Sequence, residues 1–366
     1  MADIVGTGIV AIFWFYMATL LETEQFGEIH YFVGIAGVAY AISLIGTQNT
    51  VTVFTAKKFK IEPTLYFLTL IVTAVSSIVI AIIYFRLDVS LLLFGFVISE
   101  FSIGFLLGKK EYGNYSKFIL TQKILTFALG ILFYFLYGIN GIIFGFALSY
   151  IHFIVIFFRI FRKSEINLFL LKPQSGFIRD NYFYSLANGF RSHFGKLIIV
   201  PFLGFSILGS YAFALQVITV LMMFSGIIFK YLLSQEASNI SHDRLKKITI
   251  LISVVITILG ITVLPTIISE IFPKYINALD AIRIMSLVVI PSTLSILFTS
   301  KFLSQENSKT VLVGKLISLM TLIVGILMLG SIYGLNGVAI SLVLSSTIEA
   351  IYLIYYNKNS KGKIDG

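Results

Sequence analysis

Long apolar runs alternate with short polar segments along the whole chain. A helix of about 20 apolar residues crosses a hydrocarbon core of roughly 30 Å, and these runs are long enough to do so. Because lipid offers the backbone no hydrogen-bond partners, such runs are expected to be helices. We predict twelve spans, at 4–21, 31–56, 64–85, 91–108, 118–137, 141–161, 183–204, 207–231, 248–271, 284–303, 310–330 and 336–356.

The composition supports a membrane protein. Of the 366 residues, 58% are hydrophobic and 12% are charged, whereas soluble domains carry about 25% charged residues. The predicted fold class is therefore all-α integral membrane. The first apolar run follows an acidic MAD start and precedes no small-residue cleavage site, which predicts a retained helix rather than a signal peptide. Disulfides and thiol chemistry are excluded because the chain has no cysteine.

Basic residues are distributed unevenly between the connecting segments. One set of alternate connections, counted with the span ends beside them, holds 20 of the 27 Lys and Arg residues, the other set holds Arg86, Lys274 and Arg283, and 4 lie deeper inside predicted spans. The positive-inside rule therefore predicts a multi-pass protein of the cell membrane with both termini in the cytoplasm. The net charge of +10 reflects this topology and an attraction to anionic membrane lipids, so no nucleic-acid partner is expected.

One sequence pattern occurs twice, 196 residues apart. YGINGIIFGFALS begins at Tyr137, and YGLNGVAISLVLS begins at Tyr333. Each copy is expected to form a tight extracytoplasmic turn whose glycines permit a positive φ or a close backbone approach. The glycines concerned are Gly138, Gly141, Gly334 and Gly337.

The repeated pattern indicates two similar halves. In each half a Ser-Lys pair precedes, by six residues, a lysine inside a span, Lys123 or Lys315. With six spans each, the halves are expected to be parallel six-helix repeats around a central cavity, as in many transporters. The long connection RKSEINLFLLKPQSGFIRDNY separates them. This predicts an N-terminal lobe at 1–161, a cytoplasmic linker at 162–182 and a C-terminal lobe at 183–366.

Three phrases resemble the polysaccharide-biosynthesis flippases of the Wzx type, whose superfamily also holds lipid II flippases and MATE exporters. These phrases are A-x-x-L-x-x-x-x-F-G at 18–27, FLG…LG-x-Y at 202–211 and IFPKYINA at 271–278. The resemblance covers nearly the whole chain. The chain is short for the family, and the frequent D-R of the seventh helix reads Gly195-Lys196 here.

The resemblance implies a function in glycan export. Members carry a polyprenyl-linked oligosaccharide from the cytoplasmic to the outer leaflet by alternating access between two six-helix lobes. A glycan polymerase or glycosyltransferases are implied as partners, together with the lipid-linked substrate itself.

Charges inside spans are expensive and therefore indicate candidate functional residues. The seventh span is the most polar, and its helical periodicity places several polar side chains on one face. The cations of this face could attract a diphosphate or an acidic sugar, with arginine offering a bidentate fork. They could instead pair internally with Glu100 or Glu349. The face contains Asn188, Arg191, Ser192 and Lys196, whereas His193 falls just beside it and is expected to pack.

The other embedded charges have open interpretations. Lys123 and Lys315 either line the cavity or reach the headgroups by snorkelling. Glu100 and Glu349 are candidate ion-coupling carboxylates, with structural ion pairs as the alternative. Gln48 and Asn49 either bind sugar hydroxyls or join helices by ordinary hydrogen bonds. The aromatic content of 15% does not by itself indicate sugar stacking, since aromatic residues are common in membrane proteins.

The sequence carries no HExxH, P-loop or CxxC motif, so we predict neither a metal site nor a cofactor. Without a P-loop, transport would be driven by an ion gradient or by the gradient of the substrate. One alternative is a MATE-like exporter of amphipathic molecules, which the surplus of embedded cations disfavours for cationic cargo. Another is a polyprenyl-dependent membrane glycosyltransferase, which the short external loops disfavour. The chain is therefore predicted to be a transporter and not an enzyme.

Overall fold

The computed structural model describes residues 2–59, 61–161, 166–236, 243–305 and 307–361, and within these ranges it contains helices and no strand. The α-helices are α1 Ala2–Leu20, α2 Thr23–Ser43, α3 Gln48–Ala56, α4 Glu62–Tyr84, α5 Leu87–Gly108, α6 Tyr112–Tyr137, α7 Ile139–Leu148, α8 Ile154–Phe161, α9 Ser175–Leu221, α10 Met223–Glu236, α11 Asp243–Thr262, α12 Leu264–Ile271, α13 Leu279–Ser286, α14 Val289–Ser304, α15 Ser308–Gly325 and α16 Ser331–Lys361. Short 3₁₀ segments cover Ile151–Phe153, Leu168–Gln174 and Pro273–Ala278, and Ile326–Gly330 is a π-helix.

The lengths of these helices account for the predicted spans. The described part of the chain has nine helical segments long and apolar enough to cross a membrane, or ten when the pair bent by 42° at 286–289 counts as one span. Two of the segments have 54 and 52 residues, and each is broken at a glycine with positive φ, Gly204 or Gly334. At 1.5 Å per residue each is about 80 Å long, enough for two crossings, which raises the count to the predicted twelve. The all-α membrane fold is confirmed.

The second predicted span, 31–56, is longer and broken. Its helix starts at Thr23 and stops at Ser43, and a second helix begins only at Gln48. The backbone at the break is satisfied by threonines: the Gly46 N–H donates to Thr69 Oγ1 at 3.2 Å, and Thr47 caps α3 by accepting from the Thr50 N–H. The sixth predicted span, 141–161, is also interrupted, by a turn and the 3₁₀ segment Ile151–Phe153 between α7 and α8.

The chain forms two compact units. Unit 1 comprises Met1–Phe13 and Tyr31–Phe194, and unit 2 comprises Trp14–His30 and Gly195–Gly366. The lobes and linker proposed from the sequence remain a prediction. Of the linker at 162–182, residues 162–165 lie outside the described residues, and helix α9 already begins at Ser175.

The repeated turn has the same geometry in both copies. Gly138 and Gly334 have φ of 66° and 56°, which confirms the predicted need for glycine. Three residues later, a Cβ on Gly141 would collide with the carbonyl oxygen of Phe133, and a Cβ on Gly337 with that of Leu329. The second copy differs in having the π-helix Ile326–Gly330 before the turn. The stretch from the Ser-Lys pair to the turn is four residues longer in the second copy than in the first, and the π-helix lies within that stretch.

A second pair of matched glycines lies within unit 2. A Cβ on Gly27 would collide with the Phe205 carbonyl oxygen, and a Cβ on Gly209 would collide with the Thr23 carbonyl oxygen. Each glycine heads the second helix of its half, so the equivalent helices of the two repeats cross here with their backbones in contact. Small residues are the usual means of such close helix approach in membranes.

Candidate functional site

Unit 1 contains an open cavity of about 280 Å³, lined mainly by apolar and aromatic surface with a few polar groups. Side chains reach it from α2, α5, α6, α9 and the interrupted segment between α7 and α8. The lining consists of Tyr40, Phe96, Ser99, Glu100, Ile103, Ile119, Gln122, Lys123, Tyr150, Phe153 and His193. Two residues singled out from the sequence, Glu100 and Lys123, therefore meet in one cavity, together with His193, which was expected only to pack.

Glu100 connects the two sides of the broken second span. Its carboxyl group accepts a hydrogen bond from the Tyr40 hydroxyl and another from the backbone N–H of Gln48. Tyr40 lies in the last turn of α2, and Gln48 is the first residue of α3. A carboxylate is well placed at the amino end of a helix, where N–H groups lack intrahelical partners.

Both helix breaks of unit 1 adjoin the cavity. Non-helical backbone at membrane depth is tolerated where it is buried in protein or lines a cavity. Tyr150 lies in the second break and lines the cavity. Beside it, Gln122 Nε2 donates to Thr126 Oγ1 at 2.7 Å and to Ser149 Oγ at 3.2 Å. These hydrogen bonds hold the Gln122 side chain in place.

Glycines on neighbouring helices make room for three cavity side chains. A Cβ on Gly6 would lie 2.9 Å from Lys123 Cγ, a Cβ on Gly37 2.5 Å from the His193 ring, and a Cβ on Gly95 2.8 Å from the Tyr150 ring. Such distances are too short for any real Cβ contact, so the positions of these side chains depend on glycine.

Lys315 and Glu349 form an ion pair in unit 2. The Lys315 Nζ atom lies 2.6 Å from Glu349 Oε1, with exposed side-chain fractions of 21% and 2%. The pair joins α15 to α16. It favours the structural interpretation of Glu349 over the ion-coupling interpretation, which no observation supports.

Lys196 has no such partner. Its half-buried side chain makes no hydrogen bond or ion pair with the described residues. His30, also in unit 2, lies near enough to Lys196 for the positive charge of the lysine to act on its ring. The His30 ring is buried between Trp14 and Phe26, with ring centroids 4.2 and 4.7 Å away, and neither of its nitrogens has a hydrogen-bond partner among the described residues.

The remaining predicted residues occupy varied surroundings in unit 1. Arg191 and Asn188 are half-buried, and the exposed Ser192 donates its hydroxyl to the Asn188 carbonyl at 3.0 Å. Gln48 is half-buried and Asn49 is exposed at the start of α3. Their role in substrate binding stays a prediction.

Sequence reasoning missed His30, Tyr40, Gln122 and Tyr150. A histidine in the apolar run after ETEQFGE was a usable signal for His30. Tyrosines and glutamines inside spans are too common to have identified the others. Within the described residues, no group of three or more His, Cys, Asp or Glu side chains could hold a metal ion.

No protein-family model matches this sequence, and no curated protein matches it significantly. Solved structures do share its fold. A multidrug resistance MATE family transporter of the MOP superfamily, in an inward-facing conformation, aligns over 100% of this chain and 96% of its own with TM-score 0.74 and 14% identity. The lipid II flippase MurJ, in an inward closed conformation, aligns over 97% and 87% with TM-score 0.77 and 14% identity.

An outward-facing MATE family transporter aligns over 100% of this chain and 94% of its own, with TM-score 0.70 and 13% identity. Identities this low establish the fold alone. The protein is an all-α membrane protein with the fold that MATE transporters and MurJ share.

Proposed function

We propose that this protein is a flippase that carries a polyprenyl-diphosphate-linked oligosaccharide from the cytoplasmic to the outer leaflet by alternating access. The fold supports transport, because structures that share it include inward-facing and outward-facing MATE family transporters and the lipid II flippase MurJ. The fold does not distinguish between cargoes, so the choice of a lipid-linked glycan depends on the chemistry of the embedded charges.

The observation that carries the proposal is the isolated ammonium group of Lys196. An embedded charge without a partner costs several kcal/mol, and a group retained at that cost is a functional candidate. A diphosphate would supply the missing counter-charge and several acceptor oxygens. His30 adds a second nitrogen-bearing side chain without a hydrogen-bond partner close to Lys196. Two such groups suit an anionic substrate.

The same observation favours the flippase over a MATE-like exporter of amphipathic molecules. A lipophilic cation would be repelled by Lys196, whose charge no described carboxylate neutralises. Glu349, a buried carboxylate of unit 2 that could otherwise bind a cationic cargo, is already paired with Lys315. A lipid-linked glycan with a diphosphate is therefore favoured over a cationic cargo.

Reconstituted protein provides the test. Proteoliposomes carrying an undecaprenyl-diphosphate-linked oligosaccharide would be assayed for exposure of the glycan to an impermeant lectin. We expect the wild-type protein to accelerate exposure and Lys196→Ala to reduce the rate at least tenfold, while Lys196→Arg retains most of it. Lys309→Ala, which removes an exposed lysine at the start of α15, is the matched control.

Two outcomes would overturn the proposal. One is full activity of Lys196→Ala at equal reconstitution. The other is a wild-type protein that leaves the glycan lipid in place yet moves a lipophilic cation such as ethidium, which would assign the exporter function instead.

A further inference from the structure

The cavity of unit 1 combines a row of aromatic rings with a few polar groups. Tyr40 and Phe96 lie 5.9 Å apart between ring centroids, Phe96 and Tyr150 lie 5.6 Å apart, and Tyr150 and Phe153 lie 6.5 Å apart. Ligand pockets are typically lined in this way, by aromatic and apolar side chains with few polar groups that fix orientation. The volume of about 280 Å³ is near the lower end of such pockets, roughly 300 Å³, and suits one sugar ring.

The polar groups of the cavity offer both acceptors and donors. An ionised carboxylate has about four acceptor positions. Glu100 uses its positions for two donors, the Tyr40 hydroxyl and the Gln48 N–H, which leaves capacity for hydroxyl groups of a ligand. Lys123, in contrast, offers three N–H donors and no acceptor. Sugar hydroxyls both donate and accept, so they match this mixture.

Other ligand classes fit the cavity less well. A phosphate would meet the Glu100 carboxylate, and an organic cation would meet the Lys123 ammonium group. A purely apolar ligand would cover the Lys123 ammonium group and the unused acceptor positions of Glu100 without offering either a hydrogen bond, which is costly in a buried site. A neutral sugar ring can place its apolar face on the aromatic row while its hydroxyls reach the two charged side chains.

The side chains of the cavity are also held in place before a ligand binds. The room for Lys123, Tyr150 and His193 is provided by Gly6, Gly95 and Gly37 on neighbouring helices. Side chains that are fixed before the ligand arrives lose less conformational entropy on binding. Glycine at these positions is therefore explained by the cavity as well as by close helix packing.

We propose that the cavity of unit 1 is a monosaccharide subsite, in which Glu100 and Lys123 bind sugar hydroxyls and the aromatic row packs on the apolar face of the ring. This assignment rests on the proposed flippase function and names the part of the substrate that unit 1 recognises. It gives Glu100 a role in substrate selection.

Binding of defined lipids tests the subsite. The purified full chain in detergent micelles would be titrated with undecaprenyl diphosphate and with the same lipid carrying glucose, galactose or N-acetylglucosamine. We expect at least one sugar lipid to bind wild type about tenfold more tightly than the bare lipid. A charged hydrogen bond is worth about that factor.

Variants assign the preference to named residues. Glu100→Gln and Phe96→Leu should lose the tenfold sugar preference while binding the bare lipid as wild type does. Glu62→Gln and Phe144→Leu, which change a carboxylate and an aromatic residue of unit 1 that do not line the cavity, should keep it.

Each contrary outcome has its own meaning. If wild type binds bare and sugar-bearing lipids equally, or if Glu100→Gln and Phe96→Leu both keep the preference, the subsite is overturned and the flippase proposal stands. If Glu100→Gln changes only the pH dependence of transport, Glu100 is an ion-coupling residue and the subsite is overturned. If wild type binds none of the lipids, the proposed function itself fails.

Discussion

The ammonium group of Lys315 lies 2.6 Å from the Glu349 carboxylate, and Glu349 is almost fully buried. Removing one partner of a buried ion pair leaves an uncompensated charge and typically costs about 3 to 5 kcal/mol, whereas replacing both by well-packed apolar residues of similar volume is often nearly neutral. The pair therefore links the stability of α15 to that of α16.

We predict that Lys315→Met and Glu349→Leu each lower the free energy of unfolding by about 3 kcal/mol, and that the double variant recovers most of this loss. Thermal or denaturant unfolding in detergent would measure the double-mutant cycle. Lys309→Met, at an exposed position, should change nothing. Additive single effects would show that the two groups do not stabilise each other.

The crossing of Gly27 and Gly209 gives a second prediction. Gly209→Ala places a methyl group against the Thr23 carbonyl oxygen. Because this oxygen belongs to a helix backbone, the collision can be relieved only by moving the two helices apart. We expect a loss of about 3 kcal/mol or more and a poor yield of folded protein. Gly8→Ala, in α1 with no atom within 4 Å of the added carbon, is the matched control and should fold normally. Equal yields of the two variants would contradict the crossing.

The repeated turn predicts matched effects in both halves. Alanine at Gly138 or Gly334 must adopt a backbone conformation that is nearly restricted to glycine, at a cost of about 1 to 3 kcal/mol. We expect the two substitutions to lower unfolding stability by similar amounts, measured in the same detergent. Gly176→Ala, at a helical position with open space around it, should be nearly neutral. A large effect in only one half would argue against equivalent turns.

One threonine hydroxyl, that of Thr69, accepts the backbone N–H of Gly46 at the break between α2 and α3. Thr69→Val removes the acceptor of the buried Gly46 N–H, and an unsatisfied buried donor costs about 1 to 3 kcal/mol. Thr73→Val is a close control because Thr73 is equally buried one turn along α4, and its hydroxyl donates only to the Thr69 carbonyl, at 2.7 Å. We predict that Thr69→Val is clearly the more destabilising change, and equal stabilities of the two variants would contradict it.

The hydrophobic pattern of the sequence determined the fold class. Lipid forces an apolar run to satisfy its own backbone, so run length alone predicts helices and their number. The repeated YG-x-NG pattern also predicted its own turn, because a positive φ is a local requirement that glycine meets. Breaks within spans were harder to predict, since Gly46 and Thr47 resemble the small residues that pack ordinary helices.

Only the tertiary structure decided which charges have partners. Lys123 and Lys315 occupy equivalent places in the sequence repeat, yet Lys315 is paired with Glu349 whereas Lys123 lines a cavity with Glu100. The aromatic row of Tyr40, Phe96, Tyr150 and Phe153 also could not be predicted from the sequence. Its members come from three separate spans. Helix periodicity predicts the face of the helix on which a side chain lies, but not which residue of another helix it contacts.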